Sequence, residues 1–227
     1  SPPPPLALCT ALPRAAACCW VDMYFVAIPA SFALCSGLFL GSVHLTGAMV
    51  EQSCSRVSFF HHLVAMCLGM VVHWLYSDRV MRDASFGSND SFPVAVLLQH
   101  FNIGYFLYDT VHVSVWDQRW ITHHLIAIAG YATSEISNVF VLSNAVNTWI
   151  TELGSVMYSA YLMNRSEAAY VVFVLLYTVS RTYFAVWSVT VLSQVWEAFT
   201  SPRGTWPFWA PYCAATLQIL LLVVNLM

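Results

Sequence analysis

The sequence predicts an all-α membrane protein with about seven transmembrane helices. Of its 227 residues, 59% are hydrophobic and only 8% are charged, where a soluble domain carries roughly 25% charged residues. Mean hydropathy is +0.67. The apolar residues fall into seven segments, most of them near the ~20 residues that an α-helix needs to cross a bilayer. Little chain is left for a soluble domain.

Residues 1–20 (SPPPPLALCTALPRAAACCW) contain four consecutive prolines, which stop helices and favour extended polyproline geometry. This Pro/Ala-rich N-terminal extension reads as the remnant of a cleaved targeting segment or of a trimmed chain. The transmembrane domain is expected over 21–227. Its apolar segments lie at 23–45, 58–76, 92–115, 120–134, 139–163, 168–193 and 209–227. The fourth is short for a crossing, and only Glu135-Ile136-Ser137-Asn138 separates it from the fifth, so a tilted or partly re-entrant segment is expected there. The stretches 77–91 and 197–208 are the clearest polar breaks, with Gly, Pro, Asn and Ser as turn formers.

Tryptophans cluster near segment ends (Trp20, Trp74, Trp116, Trp120, Trp196, Trp206 and Trp209), as interfacial anchors would. With seven crossings, Arg14, Arg79, Arg82 and Arg203 fall on one side of the membrane, and Arg56, Arg119 and Arg165 on the other. That split leaves orientation undetermined. Asn89-Asp90-Ser91 and Asn164-Arg165-Ser166 match the glycosylation acceptor pattern, and with seven crossings they lie on opposite faces. There is no lysine and no basic patch, which argues against a nucleic-acid partner. The seven cysteines follow no C-x-x-C or metal-finger spacing.

The chemistry concentrates in 101–124, FNIGYFLYDTVHVSVWDQRWITHH. Tyr105, Asp109 and His112 are four and three residues apart, hence on one helical face. A turn at Asp117-Gln118-Arg119 then delivers His123 and His124 into the next helix. Adjacent helical side chains point about 100° apart, so one histidine can face a cavity while the other bonds elsewhere. An imidazole near Asp109 can act as a general base or polarise an acyl carbonyl. The plainer alternative makes both histidines interfacial groups that bond water or headgroups. Asp109 within a span must be paired or protonated, and the expected remedy is His123 or His124 across one cavity. Glu152 and Arg181 are further intramembrane charges whose simplest arrangement is to pair with each other. His61, His62 and His73 in the second segment raise haem ligation as a less favoured reading. No H-x-x-H-H or H-x-x-x-H cluster supports a di-iron site.

Several motifs together resemble the TLC domain family, which includes the ceramide synthases, translocon-associated membrane proteins and the small TLC-domain-containing proteins. They are Arg56-Val57-Ser58-Phe59-Phe60-His61, then Gly104-Tyr105-Phe106-Leu107-Tyr108-Asp109, then His123-His124-Leu125, Glu152-Leu153-Gly154-Ser155 and Ser180-Arg181-Thr182. The resemblance spans about residues 20–227. It implies six helices in a barrel-like bundle preceded by one extra helix, with a lipid-sized cavity. His123, His124 and Asp109 would be its catalytic group if it is active. His61, Tyr105, His112, Glu152 and Arg181 would line the cavity.

In ceramide synthases the paired histidines, here His123 and His124, lie in the acyl-transfer site. Their signature continues as His-Asp-x-x-Asp before the glutamate, and those positions here hold Asn144, Ala145 and Thr148. The acidic pair is missing, so sphingoid-base N-acylation is not expected. The resemblance implies a protein that binds or handles a fatty-acyl or sphingolipid-type lipid. The alternatives are a non-catalytic accessory subunit of a larger membrane complex and, less favoured, a haem-binding membrane oxidoreductase. No cofactor and no metal is expected, since the family pattern accounts for the histidines. The expected location is the endoplasmic reticulum membrane, with a mitochondrial or other organelle membrane as the alternative.

Overall fold

The computed structural model describes residues 14–47, 49–83, 88–112, 119–200 and 207–226. Among these residues every regular element is helical: α1 (Arg14–Thr46), α2 (Val50–Leu75), a short α3 (Ser77–Asp83), α4 (Pro93–His112), α5 (Arg119–Ser137), α6 (Val141–Asn164), α7 (Glu167–Thr200) and α8 (Ala210–Leu226), with one 3₁₀ turn at Asn89–Ser91. The proline run, the turn residues Asp117 and Gln118, and Trp116 and Trp206 lie outside the described residues. The same holds for the side chains of Trp20, Trp120 and Arg119.

Several helices outrun their apolar segments. α1 is helical from Arg14, inside the stretch read as an extension, because Ala15, Ala16 and Ala17 are strong helix formers. α2 starts at Val50 rather than 58. Its polar first turns find partners outside the apolar zone, with Arg56 Nη1 donating to Ser42 Oγ and Thr46 Oγ1 on α1 at 3.1 and 3.0 Å. The polar break at 77–91 holds α3 and the 3₁₀ turn. The fourth segment is a helix of 19 residues.

Three helical stretches are long and apolar enough to cross a membrane on their own: Val26–Thr46, Val50–Leu75 and Glu167–Glu197. Their outer faces carry exposed apolar side chains, among them Leu34 and Leu38 on α1, Met70 on α2 and Val171, Leu175 and Val186 on α7. So much exposed apolar surface suits a lipid environment. The chain is an integral membrane protein.

α4 and α6 are the inner helices. Both bury residues on every side, including Gln99, His100, Asn102 and Asp109 on α4 and Asn147, Thr148 and Glu152 on α6. Polar groups at such depth must be satisfied within the protein, which draws these helices inward. α2 packs chiefly against α6, α6 against α7, and α1 against α4. Each of these contacts is made at a glycine. A Cβ at Gly69 would stand 2.7 Å from Trp149 Cβ, at Gly104 2.5 Å from the Ile28 carbonyl oxygen, and at Gly154 2.9 Å from Ser180 Oγ. Small residues that let helix backbones approach are the usual device for packing helices in membranes.

The α5–α6 connection is clamped by the segment before α4. Asn89 Nδ2 donates to the Ser134 carbonyl at 2.8 Å, its Oδ1 accepts the Val141 N–H at 3.2 Å, and its backbone N–H reaches the Asn138 carbonyl at 3.0 Å. Asn138 and Phe140 adopt positive φ, 55° and 74°, a region that non-glycine residues occupy sparingly. The Asn89 bonds and those from Asn138 Nδ2 to Ser88 and Asp90 hold that conformation in place. Asn89 is 4% exposed, so in the folded protein the first of the two glycosylation patterns is a structural staple rather than an acceptor.

Candidate functional site

The site is built from α4 outward. Tyr105 and Asp109, one helical turn apart, lie on its buried face. α5 brings His123 and His124, α2 brings Ser58, His61 and His62, α6 brings Glu152, and α7 brings Arg181.

His124 Nε2 lies 3.1 Å from Asp109 Oδ2, with both side chains almost fully buried. This is the direct contact expected between the third and fourth apolar segments. In the neutral ring, an Nε2–H donated to the carboxylate fixes the tautomer and leaves Nδ1 to accept a proton. His123, half-buried, meets Phe106 edge-on at 6.3 Å between ring centroids. The two histidines therefore take different surroundings, as their angular separation requires.

Glu152 does not pair with Arg181. It meets the two α2 histidines instead, with His62 Nδ1 2.5 Å from Oε2 and His61 Nε2 3.9 Å from Oε1. The His62 contact is close, yet it lies off the angle of a hydrogen bond: His62 Nδ1 and Glu152 Oε2 each lack a hydrogen-bond partner. Arg181 bonds instead to the neighbouring α6 backbone and to its own helix. Its Nη1 donates to the Thr151 carbonyl at 3.1 Å and to Ser180 Oγ at 3.3 Å, and its guanidinium lies 4.3 Å from the Tyr177 ring centroid.

The His61 ring stacks on Tyr105 at 3.6 Å between centroids with 6° between planes. The Tyr105 hydroxyl donates to Ser58 Oγ at 3.0 Å. Phe106 packs against both acid–histidine groups, with its centroid 6.1 Å from His61 and 5.2 Å from His124. His112 is not part of this assembly. Its Nδ1 lies 2.9 Å from the Tyr108 carbonyl and its ring packs on Tyr108 and Phe39, toward α1.

Two further polar groups escaped the reading of the sequence. His100 Nε2 lies 2.9 Å from Glu135 Oε1, and Gln99 bridges Glu135 to Asn144, accepting from Asn144 Nδ2 at 2.9 Å. Deeper in the bundle, Asn102 Nδ2 donates to the Tyr131 hydroxyl and to Thr148 Oγ1, both at 3.0 Å, and those two oxygens are 3.1 Å apart. The signal was present as helical spacing: Gln99 with Asn102, Tyr131 with Glu135, and Asn144 with Thr148. The positions of the missing acidic pair are thus filled by the buried Ala145 and by Thr148 tied into a neutral network.

A cavity of about 30 Å³ lies among α5, α6, α7 and α8, bordered by Gly130, Ser143, Asn144 and Gln218. It has room for one or two waters rather than an acyl chain.

Residues 53–227 match the sequence model described as TLC domain. The match begins within α2, so α1 lies outside it. No curated protein and no solved structure matches the chain.

Proposed function

Since this chain belongs to the TLC domain family, we propose that it binds or handles a fatty-acyl or sphingolipid-type lipid within the membrane. In this reading seven helices cross, and α2 and α4 to α8 form the barrel-like bundle with α1 as the extra helix. The observation that carries the reading is the buried Asp109–His124 pair at 3.1 Å, with the His61/His62–Glu152 group also against Phe106. A carboxylate-oriented imidazole is suited to hold the polar end of a lipid, or to take a proton from a group that attacks an acyl carbonyl. Tyr105 stacks on His61, and half-buried His123 lies edge-on to Phe106 beside the pair. The endoplasmic reticulum is the proposed membrane.

A second reading, a non-catalytic accessory subunit, draws on one observation. Ala145 and Thr148 are committed to packing and to a neutral hydrogen-bond network, where a ceramide synthase would hold acids. Sphingoid-base N-acylation is accordingly not proposed.

Native mass spectrometry of the purified chain in mild detergent separates the two. A retained acyl lipid, lost on Asp109→Ala, supports lipid handling. Lipid-free protein bound to stoichiometric foreign subunits supports the accessory role and overturns the first reading.

A further inference from the structure

We propose that His61, His62 and Glu152 form a binding site for a divalent transition-metal ion of the zinc class, joining α2 to α6. Each residue offers one ligand atom, and the three atoms lie within 4.8 Å of one another. Two imidazole nitrogens and a carboxylate oxygen are a donor set that suits zinc and its borderline neighbours, and disfavours the harder calcium and magnesium.

Two features single this cluster out from an ordinary buried ion pair. First, His61 is 0% exposed and neither of its ring nitrogens has a hydrogen-bond partner. A buried histidine ordinarily satisfies at least one nitrogen, and an unsatisfied buried polar atom calls for an explanation. His61 Nε2 faces Glu152 at 3.9 Å, so the unpartnered atom points at the other ligands. Second, His62 Nδ1 lies 2.5 Å from Glu152 Oε2, so the second imidazole and the carboxylate already converge on one spot.

The distances are close to those a metal needs. With metal–nitrogen and metal–oxygen bonds of roughly 2.0–2.2 Å, tetrahedral ligand atoms stand about 3.3 Å apart. The two imidazoles approach different oxygens of Glu152, at 3.9 and 2.5 Å, so the carboxylate has to turn to present its ligand oxygen to both. The stacking of His61 on Tyr105 already fixes its ring plane, as an outer group does for a metal-bound imidazole. Three protein ligands leave a fourth position for water or a substrate oxygen, the arrangement of catalytic rather than structural zinc sites. The ion also neutralises the Glu152 carboxylate, which Arg181 does not contact directly. The cluster belongs to the same polar assembly as the proposed lipid site, but retention of the metal is read without any lipid, so failure of one reading is distinguishable from failure of the other.

The test uses the full chain in mild detergent, stripped with a chelator, loaded with Zn²⁺ alone and desalted, with metal content read by mass spectrometry. The wild-type chain should retain about one Zn²⁺. Glu152→Gln keeps the side-chain shape, and it and His62→Ala should each lower zinc affinity by about tenfold or more. His62→Cys, which supplies a thiolate, should restore binding. Loading with Co²⁺ should give visible ligand-field bands in wild type and not in Glu152→Gln. His73→Ala, on the same helix but outside the cluster, should leave the stoichiometry unchanged. Wild-type protein that holds no zinc after loading overturns the proposal. So does zinc retained equally by Glu152→Gln and His62→Ala, or lost equally by His73→Ala.

Discussion

His124 Nε2 stands 3.1 Å from Asp109 Oδ2, joining α5 to α4 across a contact from which solvent is nearly excluded. Removing one partner strands the other. A buried hydrogen-bonding group left unpaired costs about 1–3 kcal/mol, and a stranded buried charge about 3–5 kcal/mol. His124→Ala should therefore destabilise the detergent-solubilised protein more than Asp109→Asn, which keeps an acceptor oxygen in place. In a double-mutant cycle on thermal unfolding, the two changes should fall short of additivity by at least about 0.5 kcal/mol. Additive effects would show that the pair is not coupled.

Asn89 predicts a second outcome, at the far side of the α5–α6 turn. Asn89→Ala leaves the Val141 N–H and the Ser134 carbonyl without their side-chain partner, and the cost should be about 1–3 kcal/mol. Asp90→Ala removes an exposed contact to Asn138, and surface changes of this kind usually stay within about 0.5 kcal/mol. Comparing the two melting curves checks the order. If both variants melt like wild type, the clamp does not hold the turn.

The Asp109–His124 contact was legible in the sequence because everything needed to see it is local. The two residues sit near facing ends of consecutive apolar segments, and a short connection keeps those ends together. The partner of Glu152 was not legible. Arg181 is the complementary charge on the adjacent helix, whereas His62 comes from a helix far back in the chain, brought in by the Gly69 contact with Trp149. Charge matching names plausible partners, but packing chooses among them. Helix ends were misjudged for a different reason. Hydropathy marks where a chain prefers lipid, and a helix such as α2 continues past that point whenever its polar turns find partners, as Arg56 does on α1. The neutral network around Thr148, and the Gln99 and Asn144 part of the one that ends on Glu135, were hidden because polar uncharged residues within an apolar run barely change its hydropathy.

Helix approach gives a third prediction. At Gly104 an added methyl would fall 2.5 Å from the Ile28 carbonyl oxygen and 2.6 Å from Ser31 Cβ, so α1 must move away from α4. Gly104→Ala should also weaken the bond from Ser31 Oγ to the Phe101 carbonyl, now 2.8 Å, and cost about 1–3 kcal/mol. Gly130 on α5 has nothing within 4 Å of such a methyl. There Ala should be neutral, or stabilising by about 0.5–1 kcal/mol through its better helix propensity. Thermal unfolding in one detergent measures both, and a Gly104→Ala protein as stable as wild type would contradict the close packing of α1 on α4.

The final prediction concerns the positions at which the ceramide synthase signature carries acids. Thr148 Oγ1 accepts from Asn102, donates to the Asn144 carbonyl at 2.9 Å and lies 3.1 Å from the Tyr131 hydroxyl. Ala145 is 2% exposed, and its carbonyl lies close to where a Cβ on Gly69 would be. Thr148→Val keeps the shape and removes the hydroxyl, so Asn102 loses one acceptor and the cost should be about 1–3 kcal/mol. Ala145→Asp introduces a carboxylate with no cation in contact and too little room. Burying an uncompensated charge is among the few single changes that exceed about 4 kcal/mol, so this variant should fail to yield folded protein. Thr148→Asp should fare better, because the Asn102 amide can still donate to it. It should nevertheless produce no N-acylation of a sphingoid base from acyl-CoA, because the second acid of the signature is still absent. Purified wild type and Thr148→Asp, assayed side by side, decide the matter. Product from wild type that disappears on His124→Ala would refute the non-synthase reading, and product from Thr148→Asp alone would show that a single acid completes the site.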